Sequence, residues 1–299
     1  MDETSEQRLL VGVDGGASGC RVAIANGSSE HVLATATGGP ANIATDFESA
    51  VQNIEEAISQ AAHGGGLGES ALATAVAHLG LAGVLCEEDA SRVSGAFEFA
   101  GCSVTDDRAT SVTGALGERD GLVLAVGTGT FVAARRGATI RAVGGWGLDV
   151  GDQASGAWLG RALLERVLLC HDGLERHTDL TRSVLGAFGN DPVAIVRHAA
   201  AAKPPAFAAL APQIVAASGA GDAVAHALMC QGAAYLSRAV EVLGGGAGDV
   251  VCLAGGVGPH YSTYLAPPLR EHIVAPVGTA LDGALSLAAL RHRELLGRA

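Results

Sequence analysis

Two glycine-rich turns of one design, about 110 residues apart, constrain this chain more than anything else in it. The first is Leu9-Leu10-Val11-Gly12-Val13-Asp14-Gly15-Gly16-Ala17-Ser18, followed by Arg21-Val22-Ala23-Ile24-Ala25. The second is Gly121-Leu122-Val123-Leu124-Ala125-Val126-Gly127-Thr128-Gly129-Thr130, followed by Phe131-Val132-Ala133-Ala134. In each, an apolar run turns through glycines and a hydroxyl residue and resumes as a second apolar run. That is the pattern of a β-hairpin with N–H groups exposed at its tip. Successive N–H groups make a concave anion site, and glycine lets a phosphate approach the backbone closely. Two such turns, each opening a domain-sized half, point to a duplicated fold that grips a polyphosphate from both sides.

Other phosphate-binding designs fail on particular residues. A Walker A loop needs a lysine beside its last glycine, and Lys203 is the only lysine in the chain. A dinucleotide fingerprint needs G-x-G-x-x-G between a strand and a helix, and neither turn has that spacing. The duplicated hairpin resembles that of the actin, sugar kinase and Hsp70 superfamily. The resemblance implies an α/β fold of two actin-like (ribonuclease H-like) domains with an active-site cleft between them, using ATP and Mg²⁺. In it Gly15, Gly16 and Ser18 of the first turn and Gly127, Thr128 and Gly129 of the second bind the nucleotide phosphates. Asp14, at the start of the first turn, would hold Mg²⁺, usually through water. Ala17 and Ser18 depart from the glycine and threonine more usual there.

The rest of the composition fits that outline. At 299 residues there is room for two domains of ordinary size. With 48% hydrophobic residues, 43 glycines and 4% aromatics, the chain reads as a well-packed α/β protein rich in tight turns. A net charge of −12 argues against a nucleic-acid or anionic-membrane partner, whose affinity depends on positive charge. The N-terminus is acidic and polar and no apolar run reaches membrane-span length, so a cytoplasmic location is expected. A homodimer is compatible with all of this. The six cysteines are scattered without a C-x-x-C pair and read as small buried hydrophobes, and the histidines show no metal-ligand spacing.

Strands and helices alternate in both halves, which predicts parallel or mixed sheets covered by helices. Helical spacing runs over 45–62, a glycine-rich loop over 63–70, a strand over 74–81, a helix over 87–100 and a short strand over 102–105. Further helices are expected over 153–170, 179–188, 191–201, 207–218 and 221–243, a strand over 249–254 and a last helix over 279–296. The domains are placed at 1–115 and 116–278, with the C-terminal helix 279–299 packing back on the first.

Asp107 follows the strand that ends at Thr105. A carboxylate at a strand end facing a cleft can take the proton of a hydroxyl that attacks a γ-phosphoryl group. It, or its neighbour Asp106, could equally be the cap of the next helix, and residue types alone leave both roles open. The superfamily resemblance assigns the base to Asp107, because its sugar kinases share an aspartate after this strand.

The segment Gly144-Gly145-Trp146-Gly147-Leu148-Asp149-Val150-Gly151-Asp152-Gln153-Ala154-Ser155 leads into a helix capped by Asp152 or Ser155. A carboxylate beside an indole can hold a sugar, with hydroxyls on the acid and the apolar ring face on the aromatic. A capping loop with core tryptophans is the alternative, and Trp158 is assigned to the core. The whole run resembles the substrate loop of N-acetylglucosamine kinases and the wider BadF/BadG/BcrA/BcrD ATPase family. The resemblance spans nearly the entire chain. It implies amino-sugar contacts from Trp146, Gly147 and Asp152, with Asn42 meeting other hydroxyls. It also puts Gly255 and Gly256 against the nucleoside and Gly221 on the nucleotide side. Asp152-Gln153, Asp172-Gly173 and His177-Thr178 resemble bacterial glucosamine kinases, whereas Trp146 is more like N-acetylglucosamine kinases. The implied activity is transfer of phosphate from ATP to the 6-hydroxyl of N-acetylglucosamine or glucosamine. The rivals are an ATPase that activates a reductase or dehydratase, discouraged by the dispersed cysteines, and a sugar sensor without turnover, discouraged by Asp107.

Overall fold

The computed structural model describes residues 8–28, 31–246 and 248–297. The chain divides into two compact units, one made of the residues up to Glu118 together with those from Pro276, the other of Arg119–Ala275. The first begins with β1 (Leu9–Gly15), β2 (Cys20–Asn26), β3 (Val32–Gly38), α1 (Phe47–Gly64) and the short α2 (Glu69–Ala73). It continues with β4 (Val76–Leu81), α3 (Glu87–Ser94), β5 (Gly101–Asp106) and α4 (Asp107–Leu116). The second begins with β6 (Gly121–Val126), β7 (Thr130–Arg136), β8 (Thr139–Gly144) and α5 (Gly156–His171). Then come α6 (Asp179–Ala187), α7 (Pro192–Ala201), α8 (Pro204–Ala208), α9 (Ala211–Gly219), α10 (Ala223–Val242), β9 (Val251–Ala254), α11 (Pro267–Arg270) and β10 (Ile273–Val274). The last helix, α12 (Ala280–Leu296), belongs to the first unit.

Each unit is built on the same five-stranded plan, in the orders β3-β2-β1-β4-β5 and β10-β9-β6-β7-β8. Both open with an antiparallel meander and add two parallel strands beside its first strand. The central strands β4 and β6 are near-continuous buried runs, as parallel strands covered on both faces must be. In the first unit α1 buries Ala50, Ile54, Ala57, Ile58 and Ala61 against the sheet. Covering one side chain of the size of Ile54 contributes about 1.5–3 kcal/mol. Across the sheet, α12 comes so close that a β-carbon on Gly283 would overlap the Thr110 backbone, and one on Gly114 would overlap Thr279. In the second unit Leu124, Leu159, Leu163, Ile195 and Leu236 form the core, and Trp158 packs on it partly buried.

Several boundaries differ from the sequence reading, each for a local reason. In the edge strands β3 and β8 the apolar residues are few and interrupted by threonine or arginine, and Val32 and Leu33 are exposed. The helix expected over 87–100 ends at Ser94, where Gly95 closes it and Phe97 stacks on Phe99. The helix expected over 207–218 is two, because Pro212 in the first turn of α9 cannot donate to a preceding turn. All six cysteines are free thiols. Among the described residues no single helix is long and apolar enough to cross a membrane. The bent pair 204–219 and 223–242 has that apolar length, but it buries Ile214, Leu228 and Leu236 in the core of its own unit.

Candidate functional site

In the first unit the tip of the β1–β2 hairpin is stitched to its surroundings by main-chain bonds. Gly16 N–H donates to the Gly19 carbonyl at 2.9 Å, Ala82 N–H to that of Gly15 at 2.8 Å, and Ala41 N–H to that of Gly16 at 2.9 Å. A β-carbon on Gly15 would lie 2.9 Å from the Ala41 side chain, so packing alone demands glycine there. At Gly16 the nearest atom would be 3.9 Å away, and Ala17 and Ser18 are exposed. Asp14 sits opposite Arg21 in the hairpin register, and the Arg21 guanidinium engages Asp14 Oδ2 through Nη2 and through Nε at 3.1 Å. Asn42 Oδ1 accepts the Ala44 N–H at 3.0 Å. Gly83, at φ +88°, lies against it, and a β-carbon there would be 2.5 Å from Asn42 Oδ1.

The two aspartates at the end of β5 have separate jobs. Asp106 is the N-cap of α4: its Oδ1 accepts the N–H groups of Arg108 and Ala109 at 3.2 Å each. Its Oδ2 accepts Arg108 Nε at 2.7 Å. Asp107 is the first helical residue and is half-buried. Burial, then the neighbouring charges of Asp106 and Asp14, push its carboxyl up to about 6, with Arg108 opposing.

In the second unit the β6–β7 tip is Gly127-Thr128-Gly129, closed by Gly127 N–H donating to the Gly129 carbonyl at 2.9 Å. The first amides of α5 serve this tip: Gly156 N–H donates to Gly127 at 2.8 Å and Ala157 N–H to Thr128 at 3.3 Å. Val257 N–H reaches the Val126 carbonyl at 2.9 Å, and Gly255, at φ +79°, lies so close to that carbonyl that a β-carbon would overlap it. The segment that carries Gly255 and Gly256 is thus packed on the second hairpin. Around Gly127 and Gly256 a β-carbon would meet nothing within 4 Å.

Ser155, not Asp152, caps α5, accepting the Trp158 N–H at 2.9 Å. Asp152 is therefore free for another role. It is held at φ +56° in the left-handed region, which costs a non-glycine residue roughly 1 kcal/mol or more, and it is buried. A β-carbon on Gly129 would sit 2.9 Å from Asp152 Oδ2, so the carboxylate lies against the phosphate-type turn. Burial raises its pKa, partly offset by the backbone groups of Thr130 and Gly147. Asp152 Oδ1 and Thr130 Oγ1 are both buried without a hydrogen-bond partner. These two orphaned polar atoms beside an open glycine turn are groups that a polar ligand would satisfy. Trp146 is 70% exposed on the same loop, whose Gly147 lies at φ +84° and whose Leu148 carbonyl is pinned by Arg161 Nη1 at 2.9 Å. Gly221, at φ +88°, turns the corner between α9 and α10, and this corner is tied by a 2.6 Å Ser218–Tyr264 hydroxyl bond to the segment beyond Gly258.

Asp14, Gly15, Gly16, Ser18, Asn42 and Asp107 thus share the first unit, and Gly127–Gly129, Asp152, Trp146, Gly147, Gly255 and Gly256 share the second. The sequence reading missed Arg21, although counting back from the hairpin tip pairs it with Asp14. It left the cap of α5 open between Asp152 and Ser155, and the structure gives it to Ser155. Asp172-Gly173 and His177-Thr178, motifs of the glucosamine-kinase likeness, sit at helix ends: Asp172 closes α5 and Thr178 caps α6.

Residues 11–278 match the model of the BadF/BadG/BcrA/BcrD ATPase family. The chain belongs to that family. Among its relatives, the glucosamine kinase GspK of Vibrio cholerae is 34% identical over 93% of this chain and 95% of its own. A Chromobacterium violaceum protein with a provisional N-acetylglucosamine kinase assignment has a solved structure of TM-score 0.87, 33% identical, covering 95% of this chain and 99% of its own. A ROK family glucokinase from Streptomyces griseus, solved with glucose and AMPPNP, gives a TM-score of 0.58 at 17% identity over 96% of this chain and 99% of its own. That second likeness carries the fold alone. The BadF/BadG-type chain therefore has the expected fold, two actin-like α/β domains.

The groups present fit a nucleotide. The space over Gly127 and Gly256 and the orphaned Thr130 hydroxyl could receive phosphate oxygens and a nucleoside. No group of three or more metal-ligating side chains occurs among the described residues. A magnesium ion bound to phosphates needs only one or two carboxylates and water, and Arg21 engages just one oxygen of Asp14.

Proposed function

We propose that this protein is an ATP-dependent amino-sugar kinase that phosphorylates the 6-hydroxyl of glucosamine or N-acetylglucosamine. The observation that carries the reading is Asp107: a half-buried carboxylate raised to about 6, next to an aspartate that already does the capping. A group poised near neutrality accepts a proton and gives it up again at working pH. Asp107 takes the proton of the 6-hydroxyl as that oxygen attacks the γ-phosphorus of ATP, and the bond to the β-phosphate oxygen breaks. Asp14 would hold magnesium, which offsets charge on the phosphates. Gly15 and Gly16 let the phosphates approach the first turn, where Ser18 offers a hydroxyl donor, and Gly127 and Gly129 do the same at the second turn beside the Thr128 hydroxyl; the Gly16 and Gly127 amides themselves hold the turns closed. Gly255, Gly256 and Gly221 flank the nucleoside. Asp152 accepts hydrogen bonds from sugar hydroxyls, the Asn42 amide donates to or accepts from others, and Trp146 with Gly147 covers the apolar ring face.

The relatives' activities support a hexosamine over a plain hexose. A coupled assay of ATP consumption against hexoses and hexosamines tests the reading: hexosamine-dependent turnover is expected, and turnover independent of any sugar would favour an activating ATPase.

A further inference from the structure

His78 on β4 is 3% exposed, and both of its ring nitrogens meet hydroxyls of the neighbouring strand. Nδ1 is 2.8 Å from Ser103 Oγ and Nε2 is 3.1 Å from Thr105 Oγ1. Ser103 faces His78 directly in the β4–β5 register, and Thr105 lies two residues further along the same face. Each hydroxyl also has a carbonyl within reach: Ala77 for Ser103 at 3.3 Å and Asp106 for Thr105 at 3.0 Å.

Counting protons orders this chain. Burial pushes the His78 ring down to about 4, so it is neutral near pH 7, with one N–H and one bare nitrogen. Each hydroxyl has one proton to give. If Nε2–H donates to Thr105, the Thr105 proton is free for the Asp106 carbonyl and Ser103 donates to bare Nδ1. Only the longest contact, Ser103 to Ala77, is then given up. The opposite tautomer gives up the Thr105–Asp106 bond, which is shorter.

That bond matters because the Asp106 carbonyl belongs to the peptide unit that leads into Asp107 at the start of α4. We propose that His78, acting through Thr105, is a positioning residue for Asp107, its Nε2–H fixing the hydroxyl that orients the peptide before the base. The inference rests on Asp107 being that base. A misplacement of about 1 Å at a reacting group can cost on the order of 10² in rate, so a side chain that never touches substrate can set turnover. The charged groups that approach His78 from α12 are Arg291 and Glu294, bonded to each other at 3.0 Å. With Ser103, Leu287 and Leu290 they line a cavity of about 240 Å³ over the ring. Those facing Asp107 are Asp106, Asp14 and Arg108.

Thr105→Val removes the hydroxyl at nearly constant shape, and Thr105→Ser restores it. Expected are a roughly tenfold loss of kcat in Thr105→Val with KM for sugar and ATP within about twofold, and recovery in Thr105→Ser. Nitrogen-15 spectra of the wild-type ring should show Nε2 protonated and Nδ1 bare, with that balance disturbed in Thr105→Val. Unchanged kcat in a folded Thr105→Val protein, no recovery in Thr105→Ser, or a ring protonated at Nδ1 would overturn the proposal. A wild-type protein that phosphorylates no sugar defeats the functional reading instead, and the ring spectra still decide the hydrogen-bond chain.

Discussion

Asp106 and Asp107 are adjacent carboxylates with opposite commitments: Asp106 is spent on two helix amides and the Arg108 guanidinium, while Asp107 stands in the first turn with a raised pKa. Asp106→Ala should therefore act on folding, costing about 1 kcal/mol through loss of the cap. Thermal melts would measure it. A variant as stable as wild type would show that the cap contributes little and that Asp106 is not committed to it.

The pH dependence follows from the sign of the Asp107 shift. Its folded-state pKa of about 6 lies above the ordinary 3.8, so the folded state holds this proton more tightly than the unfolded one. The group therefore costs no stability below about pH 4, and an increasing amount as pH rises through about 6. Asp107→Asn should melt higher than wild type near pH 8 and equally near pH 4. In turnover, kcat/KM of wild type should fall about tenfold per pH unit below about pH 6, as the base is protonated. An acid limb centred near the ordinary carboxylate value would separate that titration from Asp107.

At the second hairpin a packing role for glycine can be told from the proposed ligand-binding role. Glycine at 127 has open space where a β-carbon would go, and neither Gly127 nor Gly129 has a positive φ. Backbone strain therefore gives no reason for glycine at either position. Gly127→Ala should fold and melt like wild type yet bind ATP roughly tenfold or more weakly, because the methyl group would stand where a phosphate approaches. Gly129→Val should disturb Asp152 as well, since its β-carbon would meet that carboxylate at 2.9 Å. Calorimetric titration with ATP reads both, and wild-type affinity in Gly127→Ala would make the turn structural.

Much of this was legible in the sequence because its strongest signals are local. The two hairpins, the strand before Asp106 and the glycine-rich run into α5 are each written in contiguous residues. What stayed illegible depends on contacts across the fold. The choice between Asp106 and Asp107 as cap turns on which carboxylate meets the amides of Arg108 and Ala109. The choice of Ser155 over Asp152 turns on the left-handed backbone at 152. His78 gave no signal in sequence, since its two hydroxyl partners come from a strand about 25 residues away.

With Trp146 and Asp152 holding the sugar as proposed, selectivity would set the indole against the carboxylate. A free amine carries positive charge, and a contact with a carboxylate in a partly wet site is worth about 1 kcal/mol or less. Burying an acetyl methyl group contributes about 0.8 kcal/mol, to which amide hydrogen bonds add. Trp146 tips the expectation toward N-acetylglucosamine, and Trp146→Ala should lower kcat/KM for it more than for glucosamine. Comparing the two sugars in both proteins checks this; a glucosamine preference that outlasts the indole would reverse it.

Asp107 is proposed to accept the proton of an amino-sugar hydroxyl during phosphoryl transfer. The most direct test is the rate of hexosamine 6-phosphate formation by Asp107→Asn at saturating ATP and sugar, beside wild type. Asp107→Asn should lose kcat by a factor on the order of 10² to 10⁴, with sugar affinity within a few-fold. Near-normal turnover in the folded Asp107→Asn protein would contradict it.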